Sequence, residues 1–181
     1  MKKLLLSFSL LSIVASTYAQ SGHDIRINFK NCKDSVMYLA FFQFDKSYLA
    51  DTCKKVVKGN VVFKGPKTLD KGIYYLVSQD KMKYFDFFIS DNNQKITMSA
   101  DTADLVKSLK CTTHKENDDF FTYIKFITAK NKEYGEVKSK TKGMSKKDSA
   151  AFMMEKGKLL NETVIAYENS FLESHKGTFV G

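Results

Sequence analysis

What these 181 residues lack narrows the field first. There is no tryptophan, one proline (Pro66), one arginine (Arg26), three histidines and three cysteines. Nucleic-acid and phosphate readers lean on arginine for its planar bidentate fork, so nucleic acid is not an expected partner. Cys32, Cys53 and Cys111 form no C-x-x-C pair, which excludes the usual dithiol redox site. His23, His114 and His175 lie too far apart for a zinc spacing such as H-E-x-x-H. The acids Asp86, Asp91, Asp101 and Asp104 lack the D-x-D-x-D-G calcium loop. Glycosidase-type carboxylate pairs meet only in a fold, and no pair stands out here. The sequence therefore points to no metal, no cofactor and no catalytic residue.

What is present begins with an export signal. Lys2-Lys3 precede the apolar run Leu4 to Val14, and Thr17 and Ala19 occupy positions −3 and −1 of a cut before Gln20. This reads as a Sec signal peptide over residues 1–19, with the periplasm of a Gram-negative bacterium as destination. No other stretch approaches the ~20 apolar residues of a membrane helix, so no stable membrane span is expected. The net charge is +9, or +7 without Lys2 and Lys3, and it is carried by lysine. These lysines read as solubilising surface charge, with attraction to an anionic envelope surface as the other use. In an oxidising compartment Cys32, after the first strand, and Cys53, at the third, are a candidate disulfide; three unpaired, part-buried thiols are the alternative.

From Asp24 to Met98 the apolar period is two. Ile25, Ile27 and Phe29 alternate with Arg26, Asn28 and Lys30, as in a strand with one wet face. Val36 to Phe44 is apolar on both faces, as if covered on both sides. Gly59-Asn60 is a hairpin signal, and Ser78–Lys81 and Asp91–Asn93 are turn clusters. Six or seven short strands predict an antiparallel sandwich or open barrel over residues 20–101.

After Asp101 the period becomes helical. Thr102–Lys110 is a short helix candidate, and Glu116 to about Lys140 a longer one with Phe120, Ile124 and Ile127 on one face. Lys142-Gly143 breaks it, and Ser145 with Asp148 marks the next helix start. That helix carries Met153, Leu160, Val164, Tyr167 and Phe171 on one stripe. Residues 102–181 thus read as a helical hairpin that packs on itself, on the sandwich, or on a further partner. Lys130–Lys147 reads as a solvated helix end plus loop. The fold class expected is α+β.

The aromatics crowd two neighbouring strands. Either Tyr74, Tyr84, Phe85 and Phe87 form a contact face for a sugar or peptide, or the hairpin covers them as core. Absence of tryptophan weakens the sugar version.

The order of elements carries a resemblance. The Asp51-Thr52 strand, Lys58-Gly59-Asn60 turning into Val61–Gly65, and Lys71-Gly72-Ile73-Tyr74 are part of it. So are Phe87-Phe88-Ile89 with Asp91-Asn92, and Ile96–Asp101 followed by Glu116-Asn117 and a helix. Together they resemble the β-rich N-terminal domain of unknown function of secreted thioredoxin-like proteins, of the alkyl hydroperoxide reductase and thiol-specific antioxidant type. In that family the sandwich and a helical segment precede a thioredoxin fold with the C-x-x-C. The resemblance implies a non-catalytic accessory module, positioning or docking protein substrates for a redox domain that follows Gly181. The alternative is a free-standing periplasmic binding or structural protein. A homodimer is compatible with either.

Overall fold

The computed structural model describes residues 22–90 and 94–181. The expected signal peptide and the Asp91–Asn93 turn lie outside them. Along the described chain come β1 (His23–Lys30), β2 (Met37–Gln43), β3 (Lys46–Cys53), β4 (Asn60–Gly65), β5 (Gly72–Val77), β6 (Lys83–Ile89) and β7 (Lys95–Asp101). The one-turn α1 (Leu105–Ser108), β8 (Lys110–Cys111), α2 (Lys115–Ser139) and α3 (Lys146–Ser174) follow.

The strands form two open four-stranded sheets, one in the order β4-β1-β7-β8 and the other β3-β2-β5-β6. The class is α+β, and of the two expected forms the sandwich is realised rather than a barrel. Alternation builds its core. Ile25, Ile27 and Phe29 of β1 turn inward with Val61, Phe63, Ile96 and Met98 of the same sheet. Met37, Leu39, Leu76 and Phe87 meet them from the other sheet. One expectation needs correcting: β1 and β7 run parallel, with Ile25 opposite Ile96 and Ile27 opposite Met98. A parallel pair needs a long crossover, and here the second sheet supplies most of it. Side-chain alternation is blind to strand direction, so the sequence could not reveal this.

Two further corrections concern cover and boundaries. β2 is buried on both faces only near its middle, because Phe42 is 48% exposed. The boundary drawn at Asp101 falls too early: β8 pairs with β7, Met98 opposite Cys111, and completes the first sheet.

The Gly59 signal is a turn, as read, but it joins two sheets rather than two paired strands. Lys58 and Gly59 both have positive φ, and the Asn60 N–H donates to the Val57 carbonyl at 2.9 Å. That is the primed two-residue turn glycine favours. A lone bridge, Val57 to Asn60, is all the hairpin there is. The chain then crosses from β3 in one sheet to β4 in the other.

In the hairpin, Ser145 accepts from the Asp148 N–H at 3.1 Å and caps α3 as its sequence predicts. Phe126 stacks on Tyr167 with centroids 3.8 Å apart, and Tyr123 packs tilted against Phe171 at 5.1 Å. Fully buried Phe121 drives the first turns of α2 against the sandwich, beside Phe85. The hairpin therefore packs on itself along its length and roots on the sheets through α2.

Candidate functional site

The polar side chains gather at this root. β6 is an edge strand, and an edge leaves backbone groups in need of partners. Asn117, fully buried in the first turn of α2, supplies them. The Phe88 N–H donates to its Oδ1 at 2.6 Å, and its Nδ2 donates to the Phe88 carbonyl at 2.9 Å. One amide thus mimics a neighbouring strand.

His114 precedes it as the helix cap. The Asn117 N–H donates to His114 Nδ1 at 3.4 Å, which places the ring proton on Nε2. That nitrogen lies 3.0 Å from Ser90 Oγ. An imidazole in this tautomer donates to the hydroxyl and cannot take its proton, so the Ser90–His114 pair is not a nucleophile with its base.

The C-terminal end of α3 closes the junction. His175 Nδ1 lies 2.8 Å from the Phe171 carbonyl, and Nε2 lies 3.1 Å from Asp119 Oδ2. Both ring nitrogens face acceptors, so the doubly protonated ring fits best. The Phe171 carbonyl, then Asp119, hold the His175 pKa above its ordinary value. Burial pushes the Asp119 carboxyl up, but Lys115 at 2.6 Å and His175 outweigh it and hold it below the usual range. Glu116 Oε1 accepts from the Phe179 N–H at 3.1 Å, while its buried Oε2 has no partner.

Two depressions flank this cluster. A polar recess of about 580 Å³ is lined by Lys71, Ser90, Thr113, His114, Glu116 and Thr178. An apolar cleft of about 410 Å³ is lined by Phe88, Phe120, Tyr123, Phe171, Leu172 and Phe179. Among the described residues no group of three or more His, Cys, Asp or Glu is placed to hold a metal ion. The junction orders backbone and joins elements.

The cysteines are placed as free thiols. Cys32 is half-buried with its Sγ toward the Asp34 carbonyl, Cys53 is buried at the end of β3, and Cys111 is buried on β8. Burial pushes the Cys32 and Cys111 thiols above the ordinary value, which makes both poor nucleophiles.

The expected aromatic contact face needs correcting too. Tyr74, Phe85 and Phe87 are 2%, 7% and 0% exposed, and they point between the sheets. Burial pushes the Tyr74 hydroxyl up to about 12, and it donates to the Asp70 carbonyl at 2.9 Å. Tyr84 is half-buried against Phe29, its hydroxyl donating to Asp34 at 2.6 Å; burial, then Asp34, push its pKa up as well.

Neighbours of opposite parity make the outward face. Phe42 stacks on Tyr75 with centroids 4.6 Å apart, and the Lys81 ammonium sits 3.7 Å from the Tyr38 ring centroid. Phe42, Leu49 and Ile73 stand exposed on β2, β3 and β5. Pairing Ala40 with both Leu49 and Tyr75 makes this surface continuous. The signal in the sequence was strand parity, which assigns Tyr74 and Tyr75 to opposite faces.

Fold and site together define an open two-sheet sandwich with a helical hairpin rooted on one edge strand. Residues 23–120 match the family described as Domain of unknown function (DUF4369), and the chain belongs to that family. No curated protein and no solved structure matches it.

Proposed function

We propose that this chain is the non-catalytic accessory module of an exported thioredoxin-like thiol-disulfide oxidoreductase. It positions or docks protein substrates for a domain bearing the C-x-x-C. The observation that carries this reading is the outward face of the β3-β2-β5-β6 sheet. Phe42, Leu49 and Ile73 are 48%, 62% and 43% exposed there, while Phe120 and Phe179 cover Phe88 at the β6 edge of the same face. An apolar face of this kind is where a protein surface docks. The thiols do not compete with a redox centre, since two are buried and the third is held protonated by partial burial.

The test has two arms. Intact mass of the native protein, taken from its own cells, is expected to exceed this chain by a domain of ~100–150 residues. Phe42→Ser with Ile73→Ser in that longer protein is expected to raise KM for a disulfide-bonded protein substrate. Reduction of a small disulfide is expected to stay unchanged. A mass equal to this chain without its leader overturns the accessory reading and favours the alternative. That alternative is a free-standing envelope binding protein that uses the Phe42–Tyr75 face directly.

A further inference from the structure

At the far end of the hairpin unpaired lysines concentrate. Along its shaft Lys130 lies on Glu133, Lys156 on Glu155 and Lys158 on Glu162. At the tip Lys138, Lys140, Lys142, Lys146 and Lys147 are all exposed, and among the described residues none forms an ion pair. Asp148, the acid beside them in sequence, instead accepts from the Ser145 hydroxyl at 2.7 Å. Lys138 and Lys140 sit at the C-terminal end of α2, where the helix dipole favours cations. Lys146 and Lys147 open α3, where unpaired N–H groups and the positive end of the dipole repel them. Two lysines are therefore held against the field of their own helix with no internal partner. Between the helices Met144 is 41% exposed at the apex, after Gly143 at positive φ. A helix of 25 residues carries this tip ~37 Å along α2 from the root.

We propose that the hairpin tip docks on an anionic phospholipid surface, its lysines meeting headgroup phosphates and Met144 entering the interface. A convex tip suits a broad, flat partner. Lysines are point charges suited to a diffuse field of headgroups rather than to bidentate readout. An apolar side chain amid the lysines fits a surface with a hydrocarbon layer beneath it. This goes beyond the accessory-module reading and stands without it.

The chain contains no tryptophan, so Met144→Trp installs a single reporter at the tip. With vesicles of equal phosphatidylglycerol and phosphatidylcholine at low salt, the protein is expected to co-sediment and the tryptophan emission to shift to the blue. Both effects should fade with added salt and be absent with phosphatidylcholine alone. Each tip lysine removed is expected to weaken partitioning ~5-fold, hence about 25-fold for Lys146→Gln with Lys147→Gln. Lys54→Gln with Lys55→Gln removes the same charge from the sandwich and should change partitioning by less than about twofold. Thermal melts confirm that these surface variants are folded. An equal loss in the sandwich pair assigns binding to net charge and overturns the proposal. So does failure to co-sediment, or binding to heparin with no emission shift on vesicles, which points to a soluble polyanion.

Discussion

Asn117 does the work of a strand with one side chain, and its removal should show it. Asn117→Ala leaves the Phe88 N–H and carbonyl unpaired in a buried site, at a cost of about 2–4 kcal/mol. Urea unfolding measures this as a fall in midpoint with unchanged slope. Asn117→Asp refills the volume but cannot donate to the Phe88 carbonyl, so it is expected to restore little. Full recovery with aspartate would assign the loss to a cavity instead.

The His175–Asp119 pair makes a second residue-scale prediction. The raised His175 pKa contributes stability that is fully present below the unfolded value of ~6.5 and lost as pH rises through the folded one. The lowered Asp119 pKa contributes stability that is present above ~3.9 and lost as pH falls through its folded value. The Tm gap between the native chain and His175→Gln should therefore be widest at about pH 5–6 and narrow as pH rises above ~6.5 through the raised folded value. A gap independent of pH would mean that the ring contributes by packing alone, through its stack on Phe171 with centroids 4.1 Å apart.

At the scale of elements, glycines separate local rules from tertiary ones. Gly59 takes φ +76°, and a Cβ there would overlap the Phe29 carbonyl oxygen, while its own carbonyl accepts from the Phe29 N–H at 2.8 Å. Gly59→Ala is expected to destabilise by at least about 1–3 kcal/mol, because strain and overlap act together. Gly135 lies inside α2 with open space where its Cβ would be. Gly135→Ala should stabilise by about 1 kcal/mol, since alanine is the better helix former. Thermal or urea melts of the two variants should move in opposite directions.

The same elements show what was legible. The Ser145–Asp148 start of α3 and the inward stripe through Leu160, Tyr167 and Phe171 could be read directly, because capping and helical period are properties of neighbouring residues. The His114 cap of α2 was not, because an imidazole acts as a cap only where a second group, here Ser90, fixes its proton.

For the whole molecule, the sandwich and hairpin divide the labour. The sheets hold the core and offer one open apolar face through Phe42, Leu49 and Ile73. The hairpin seals the β6 edge at its root and carries unpaired lysines to its tip. Substitutions on the open face are expected to alter partner binding with little change in unfolding midpoint, since exposed side chains contribute little to the core.

By itself the sequence determined the class of the fold, the run of strands up to Asp101, the two long helices and the absence of recognisable catalytic motifs. Each of these rests on periodicity, capping or spacing, which act within a few residues. Only tertiary structure decided that β1 and β7 run parallel, that β8 closes a sheet, which aromatics face outward, and that Asn117 reaches the backbone of Phe88. Those outcomes depend on which distant strands pair, on the irregular registers of β2 with β3 and of β5 with β6, and on side chains meeting backbone 29 residues away. Long-range contacts set all of them, and no local pattern encodes them.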